Sequence, residues 1–336
     1  MGKLHDLAGL GQAIWFDYIQ RSLITSGELQ SLIDKGVRGV TSNPTIFEKA
    51  IAGSTDYDED LKKLARNGSS VDEIYENLVL SDISRTADLF RQVYDSTAGR
   101  DGYVSIEVSP RLAYDTAKTI SEAERLFAAL GKPNIMIKVP ATDQGIPAVE
   151  ALISQGINVN VTLLFSVDQY LKAAEAYLKG LERLLASGGD VSRVASVASF
   201  FVSRVDTLVD EKLEPVHDTD LSGKIAIANA KVAYGHFHQI FSGDRWERLA
   251  ANGARVQRLL WASTGTKNPK YPDTLYVDSL IGEHTVNTLP PATLNAFLDH
   301  GEVALTLSKG LDKAQAQVGR LEVLGINLAA VTKKLE

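Results

Sequence analysis

The stretch "NIMIKVPATDQGI", residues 134–146, sets a lysine in an otherwise apolar run and follows it at once with proline, threonine and glycine. Side chains alternate across a strand, so Ile135, Ile137 and Val139 share one face while Met136 and Lys138 point to the other. The first set suits packing beneath helices, which turns Lys138 towards an interior. A charged amine there costs free energy unless something compensates it. The rest of the chain has to supply both the interior and the compensation.

Outward from this run, short apolar segments alternate with longer helical patterns. "AIWFDYI" (13–19), "VRGVTSNP" (37–44), "YVSIEV" (103–108), "NIMIKV" (134–139), "INVNVTLL" (157–164), "VASVASFF" (194–201), "VQRLLWAS" (256–263) and "EHTVNTLP" (283–290) read as strands. The first is followed by the helical "SGELQSLIDKG" (26–36), with Ser26 as its expected N-cap and Gly36 as its stop. Between the second and third strands lies a charged helical insert containing "YDEDLKKLARNG" (57–68) and "VDEIYENLVLSDISRTADLFRQVYDST" (71–97). Eight strands separated by helices predict a (β/α)8 TIM barrel with additional helices between strands 2 and 3. No Gly-rich or Ser/Pro-rich linker divides the chain, so residues 1–336 are expected to form one barrel domain. A doubly wound sheet is the alternative, but no G-x-G-x-x-G follows the first strand.

The same alternation sorts the polar residues of the other strands. Trp15 and Asp17 oppose Ile14 and Phe16; Ser105 and Glu107 oppose Val104, Ile106 and Val108. Asn158, Asn160 and Thr162 oppose Val159, Val161 and Leu163, while Val197, Ser199 and Phe201 fall together. Five strands therefore aim polar groups at one interior, close to the strand ends where barrel active sites are built. That convergence weighs more than any single residue, since one inward lysine could equally be a structural ion-pair partner.

Composition narrows the chemistry. Lys and Arg total 35 against 42 Asp and Glu, a net charge of −7, and no dense basic stripe is present to track a phosphate backbone, so no nucleic-acid partner is expected. The chain has no cysteine, which removes disulfides, thiolate metal sites and cysteine nucleophiles. The opening "MGKLHDLAGLGQAIWFDYI" lacks the pattern of a signal peptide, and no run of about 18 apolar residues occurs, so a cytoplasmic protein without membrane attachment is expected. Six histidines are present, yet His236 and His238 lie two apart on an expected helix and face different ways, and His284 stands alone. No metal and no cofactor is expected. "FVSRVDTLVDEKL" (201–213) has the alternating charge of a partner-binding helix, but a non-enzymatic scaffold has no reason to converge Asp17, Glu107, Asn160 and Lys138.

One inward lysine beside carboxylates suits Schiff-base catalysis. An amine attacks a ketone only when neutral, so burial among apolar groups has to bring its pKa down from about 10.4 towards about 7 to 8. Met136, Ile137 and Phe201 are the expected desolvating neighbours. Two carboxylates with a hydroxyl between them can carry the protons of carbinolamine dehydration and C–C cleavage, while the iminium takes up the electron pair of the broken bond.

The segments "FDYI", "GVTSNPTIF", "SIEVSPRLAYD", "IMIKVPATDQGI", "NVNVTLLFS", "VASFFVSRVD" and "LLWASTGTKNP", in that order from residue 16 onward, resemble those of transaldolases, the Schiff-base ketol transferases of the pentose phosphate pathway. The resemblance implies an α/β barrel acting on sugar phosphates and leaves monomer and homodimer both open. It implies Lys138 as the imine-forming residue and Asp17 as the acid/base for the substrate hydroxyl. Glu107 and Thr162 would handle the imine water, Asn43 and Asn160 would bind substrate hydroxyls, and Ser199 would lie near the dihydroxyacetone end. Thr41 is expected in the same pocket. Arg204 and Ser263 correspond to phosphate-binding positions; where many relatives carry a second arginine this chain has Gly265, and Lys267 is the nearest substitute. Related aldolases that release free dihydroxyacetone from fructose 6-phosphate are the alternative. They tend to carry glutamine and tyrosine at the positions of Glu107 and Phe201, and both positions here follow the transferases. The chain stops at "LAAVTKKLE" (328–336), where many relatives of this branch continue through another helix; the resemblance therefore admits a shortened chain or a portion of a fusion with phosphoglucose isomerase.

Overall fold

The computed structural model describes residues 2–216 and 219–336. Its strands are β1 (Gln12–Phe16), β2 (Val37–Val40), β3 (Tyr103–Glu107), β4 (Ile135–Pro140), β5 (Val159–Leu164), β6 (Ser196–Phe201), β7 (Arg258–Ala262) and β8 (Thr285–Leu289). Each pairs in parallel with the next, and β8 returns to β1 through Gln12–Thr285 to Phe16–Leu289, closing the barrel. The expected strands all form, in the expected order, as a (β/α)8 barrel. Four helices, Pro44–Ala52, Asp58–Arg66, Val71–Leu89 and Arg91–Ser96, occupy the connection between β2 and β3. The longest starts at a capping box in which Ser70 N–H donates to Glu73 Oε2 (2.7 Å) and Glu73 N–H to Ser70 Oγ (3.4 Å). No helix of the described residues is long and apolar enough to cross a membrane.

Strand alternation divides the core in two. Ile14, Val104, Ile135, Ile137, Val139, Val159 and Val161 face outward into the main core, where the surrounding helices pack on them. Trp15, Tyr103, Met136, Val197, Leu260 and Val286 face inward and fill the barrel itself. Ile137 was expected beside the Lys138 amine; one residue along a strand is the opposite face, and it packs beneath the helices instead. Gly39 lets Trp15 occupy the axis, since a Cβ there would stand 2.7 Å from the indole ring. At the helix Glu28–Asp34 Ser26 is not the N-cap: Gly27 takes that place at φ 84°, and Ser26 Oγ accepts the Glu28 N–H only at 3.3 Å.

The segment 134–146 turns sharply after β4. Thr142 Oγ1 donates to the Ala113 carbonyl in the loop after β3 (2.6 Å) and accepts the Gly145 N–H (2.9 Å). A side chain at Gly145 is impossible, because its Cβ would fall 1.9 Å from the Pro140 carbonyl oxygen. Proline, threonine and glycine thus start the next helix immediately and hold the end of β4 against its neighbour.

The helix Ser203–Leu213 is anchored by a buried carboxylate. Asp206 accepts the Ala226 N–H (2.7 Å) and the Tyr276 hydroxyl (2.9 Å), and burial outweighs these bonds to push its pKa up to about 7. The fold thereby favours the protonated carboxyl: the stability it contributes is complete below the ordinary 3.8 and is lost as pH rises through about 7. Asp206→Asn should therefore gain on the order of a few kcal/mol over the parent at pH 8 and little at pH 4. Urea denaturation at the two pH values checks this; an equal difference at both would contradict it.

Candidate active site

The C-terminal ends of the strands surround a cavity of about 650 Å³ whose wall includes Asp17, Glu107, Lys138, Thr162, Ser199 and Arg204. Lys138 is 8% exposed, so its amine depends on protein partners. Nζ donates to Glu107 Oε2 at 3.0 Å and to the Ser42 carbonyl at 3.0 Å. The first bond follows from register, because Glu107 and Lys138 are direct neighbours across the β3–β4 pair. The second comes from the backbone just beyond β2, where Ser42 Oγ in turn donates to the Ser105 carbonyl (2.7 Å).

Asp17 follows the end of β1. Thr41 Oγ1 donates to its Oδ1 at 2.6 Å, and the same hydroxyl lies 2.6 Å from Thr288 Oγ1 on β8. Burial raises the Asp17 pKa; the Thr41 bond and the Lys138 charge oppose that rise, and the Glu107 charge adds to it. Asp17 is therefore held nearer to protonation than a free carboxylate. It faces the cavity with Lys138 and Glu107, as the common register of the three residues requires.

Ser199 Oγ donates to Asn160 Oδ1 (2.6 Å), and Asn160 Nδ2 donates to Ser105 Oγ (3.2 Å). Asn160 is wholly buried and lies outside the cavity wall, beneath the floor that Ser199 forms. Asn43 does line the cavity while its Oδ1 caps the helix Pro44–Ala52 by accepting the Ile46 N–H (3.0 Å). The cap uses the carbonyl oxygen and leaves Nδ2 as a donor. Glu107 and Asn43 also border a second cavity of about 480 Å³ on the side of the β2–β3 helices. Glu107 thus borders open space on two sides, Lys138 on one.

Cations collect at the far end of the main cavity. Arg204 lies in the first turn of the helix Ser203–Leu213, which has no side-chain N-cap, and its guanidinium sits 5.1 Å from the Phe201 ring centre. Ser263, at φ 55°, places Oγ 3.0 Å from Ser203 Oγ. Lys267 and Lys49 reach the same wall. Lys49, Tyr18 and Thr288 had not been singled out from the sequence. For Thr288 a signal existed, since Val286 and Thr288 alternate inward at the end of β8. Lys49 is a surface residue of a helix, and its pattern differs in nothing from that of a solvated lysine.

Among the described residues no group of three or more His, Asp or Glu side chains is arranged to hold a metal ion. Fold and site together define a (β/α)8-barrel protein built around a buried lysine–carboxylate pair. The profile of the transaldolase/fructose-6-phosphate aldolase family matches residues 14–336, and the chain belongs to that family. Its relatives include a transaldolase of Trichodesmium erythraeum, 51% identical over 97% of this chain and 89% of the relative. A transaldolase of Neisseria meningitidis is 50% identical over 100% of this chain and 95% of the relative. The protein called transaldolase 2 in a Nostoc species is 49% identical over 98% and 90%.

Proposed function

We infer that the chain is a transaldolase, moving a dihydroxyacetone unit reversibly from sedoheptulose 7-phosphate to glyceraldehyde 3-phosphate through an imine on Lys138. The observation that carries the reading is the 3.0 Å Lys138–Glu107 pair in one cavity with an Asp17 held towards protonation by burial. Glu107 accepts the ammonium proton, and the freed amine adds to the ketose C2 carbonyl. Glu107 then returns a proton to the carbinolamine hydroxyl, which leaves as water and gives the iminium. Asp17 takes the proton of the C4 hydroxyl as C3–C4 breaks. The bond's electron pair moves into the iminium to form an enamine, and the shortened aldose departs. An incoming aldehyde reverses the sequence, and water set by Glu107 and Thr162 hydrolyses the final imine.

Substrate hydroxyls meet Asn43 Nδ2 and the Ser199 oxygen, whose own proton is committed to Asn160. Asn160 thus orients Ser199 from below. Thr41 fixes Asp17. Arg204, Ser263 and Lys267, with the uncapped helix N-terminus, form the phosphate grip. Arg204→Ala should raise KM for fructose 6-phosphate by about 10- to 100-fold with kcat nearly kept, the loss of one charge-assisted contact. Steady-state kinetics checks it, and a fall in kcat with KM unchanged would contradict the assignment.

Incubation with fructose 6-phosphate, reduction with borohydride and peptide mass mapping tests the chemistry: the adduct belongs on Lys138, and an adduct elsewhere or none overturns the mechanism. Transfer to erythrose 4-phosphate should outpace release of free dihydroxyacetone. The reverse order would favour the aldolase branch.

A further inference from the structure

The side-chain bond that holds Asp17 runs from Thr41 Oγ1 to Oδ1 at 2.6 Å. An ionised carboxylate can only accept, so the single proton of the Thr41 hydroxyl is spent on Asp17. The same Thr41 oxygen lies 2.6 Å from Thr288 Oγ1. With the Thr41 proton committed, the direction of this second bond follows: Thr288 donates and Thr41 accepts. The three residues form one relay, from Thr288 on β8 through Thr41 beyond β2 to Asp17 beyond β1. Both threonines are 3% exposed, so bulk water does not compete for either bond.

The backbone closes the barrel at this point without the hydroxyls. Thr41 N–H donates to the Phe16 carbonyl (3.0 Å) and Asp17 N–H to the Leu289 carbonyl (2.8 Å), which pins Asp17 between the segments carrying the two threonines. β1 and β8 pair along their whole length, while β2 and β8 flank β1 and do not pair with each other. The hydroxyls therefore meet across the end of β1, where no ladder requires them. A valine at 288 has nearly the same shape as threonine. It lacks only the proton that Thr288 supplies.

A hydroxyl that accepts a hydrogen bond becomes a stronger donor, because each bond polarises the next. Thr288 thus strengthens the charge-assisted bond from Thr41 to the Asp17 carboxylate. Burial favours the neutral acid at Asp17, and the Glu107 charge adds to that; the Thr41 bond and the Lys138 charge oppose it. An ionised Asp17 in this setting depends on donors that are fixed in place. Thr41 holds Oδ1, which leaves Oδ2 for the substrate hydroxyl.

On the reading that Asp17 takes the C4 hydroxyl proton, we propose that Thr288 is a further positioning residue for the reaction: through Thr41 it keeps Asp17 ionised, with Oδ2 free for the substrate proton. Thr288 acts on Asp17 and not on the sugar.

Thr288→Val and Thr288→Ser in the full chain test this. Loss of the relayed bond should lower kcat with fructose 6-phosphate by about 3- to 10-fold and leave KM within about twofold. The acid limb of kcat/KM, which reports the free enzyme, should move to higher pH, since a less supported carboxylate takes up a proton more readily. Lys138 and Glu107, the charged groups facing Asp17, are the same in every variant. Thr288→Ser should restore both the rate and the limb. In an Asp17→Asn background Thr288→Val should cost less than about twofold, because no carboxylate is left to support. Carbon-13 NMR of the aspartate carboxyls, with Asp17 assigned by its loss in Asp17→Asn, reads the same change without turnover: Asp17 should titrate at higher pH in Thr288→Val. That shift in a protein that transfers no dihydroxyacetone leaves the relay standing and removes the step assigned to Asp17. An active parent whose limb and NMR titration are both unmoved by Thr288→Val overturns the relay and leaves the mechanism standing. A loss that is equal at every pH, or that Thr288→Ser does not restore, makes Thr288 a packing residue and also overturns the relay. Circular dichroism confirms the fold of each variant, and Thr288→Ala carries the same test should valine prevent folding.

Discussion

Lys138→Met is expected to lower kcat by at least about 10⁴-fold and to abolish the borohydride-trapped adduct, because the substitution removes the nucleophile and no other lysine shares its place beside Glu107. Methionine approximates the length of the aliphatic stem, and the lost ion pair leaves Glu107 15% exposed at a cavity wall, so the fold should survive. A variant that retains a trapped adduct, or more than about a hundredth of the parent rate, would show that another amine performs the chemistry.

Asp17→Asn should behave differently. The amide keeps an acceptor for the Thr41 hydroxyl but cannot take a proton, so imine formation continues while C–C cleavage slows by about 10² to 10⁴-fold. Fructose 6-phosphate should then accumulate as an adduct on Lys138, trapped in undiminished or greater yield. The pH profile supplies a second check. Asp17 has to be ionised to accept the hydroxyl proton, and burial raises its pKa above 3.8, so the parent's cleavage rate falls on acidification at a pH above the ordinary aspartate range. The variant should lose that limb. A variant that can no longer form the adduct would move Asp17 from the cleavage step to imine formation.

The two variants bear on different kinds of legibility. Lys138, Asp17 and Glu107 were placed on one face by counting residues along three strands, and in the barrel they do face one cavity. Parity along a strand is local, so the linear chain carries it. The same counting put Ile137 on the outer face, and its expected place beside the amine was an error of proximity in sequence. Ser26 was misplaced because its neighbour, Gly27, reaches a φ of 84° that no composition rule distinguished from an ordinary cap.

Contacts between distant segments were less accessible. The Ser42 carbonyl that shares Lys138 Nζ is a backbone atom 96 residues away, identical in kind to every other carbonyl in the chain. Thr288 meets Thr41 only because β8 closes on β1. Asn160 reads as a cavity residue from its strand, yet it lies beneath Ser199, since depth in the barrel depends on the relative height of all eight strands. Asn43 serves as both cap and cavity donor, a pair of roles that one motif cannot separate.

The amino-acid sequence alone determined the order of strands and helices, the inward face of each strand and the convergence of a lysine with two carboxylates, because periodicity and residue type act over a few neighbouring positions. The tertiary structure alone decided which carbonyl holds the amine and that Asp17 is buried enough to move its pKa. Those outcomes depend on barrel closure and helix packing, which sum weak contributions from the whole chain and set distances that no local pattern encodes.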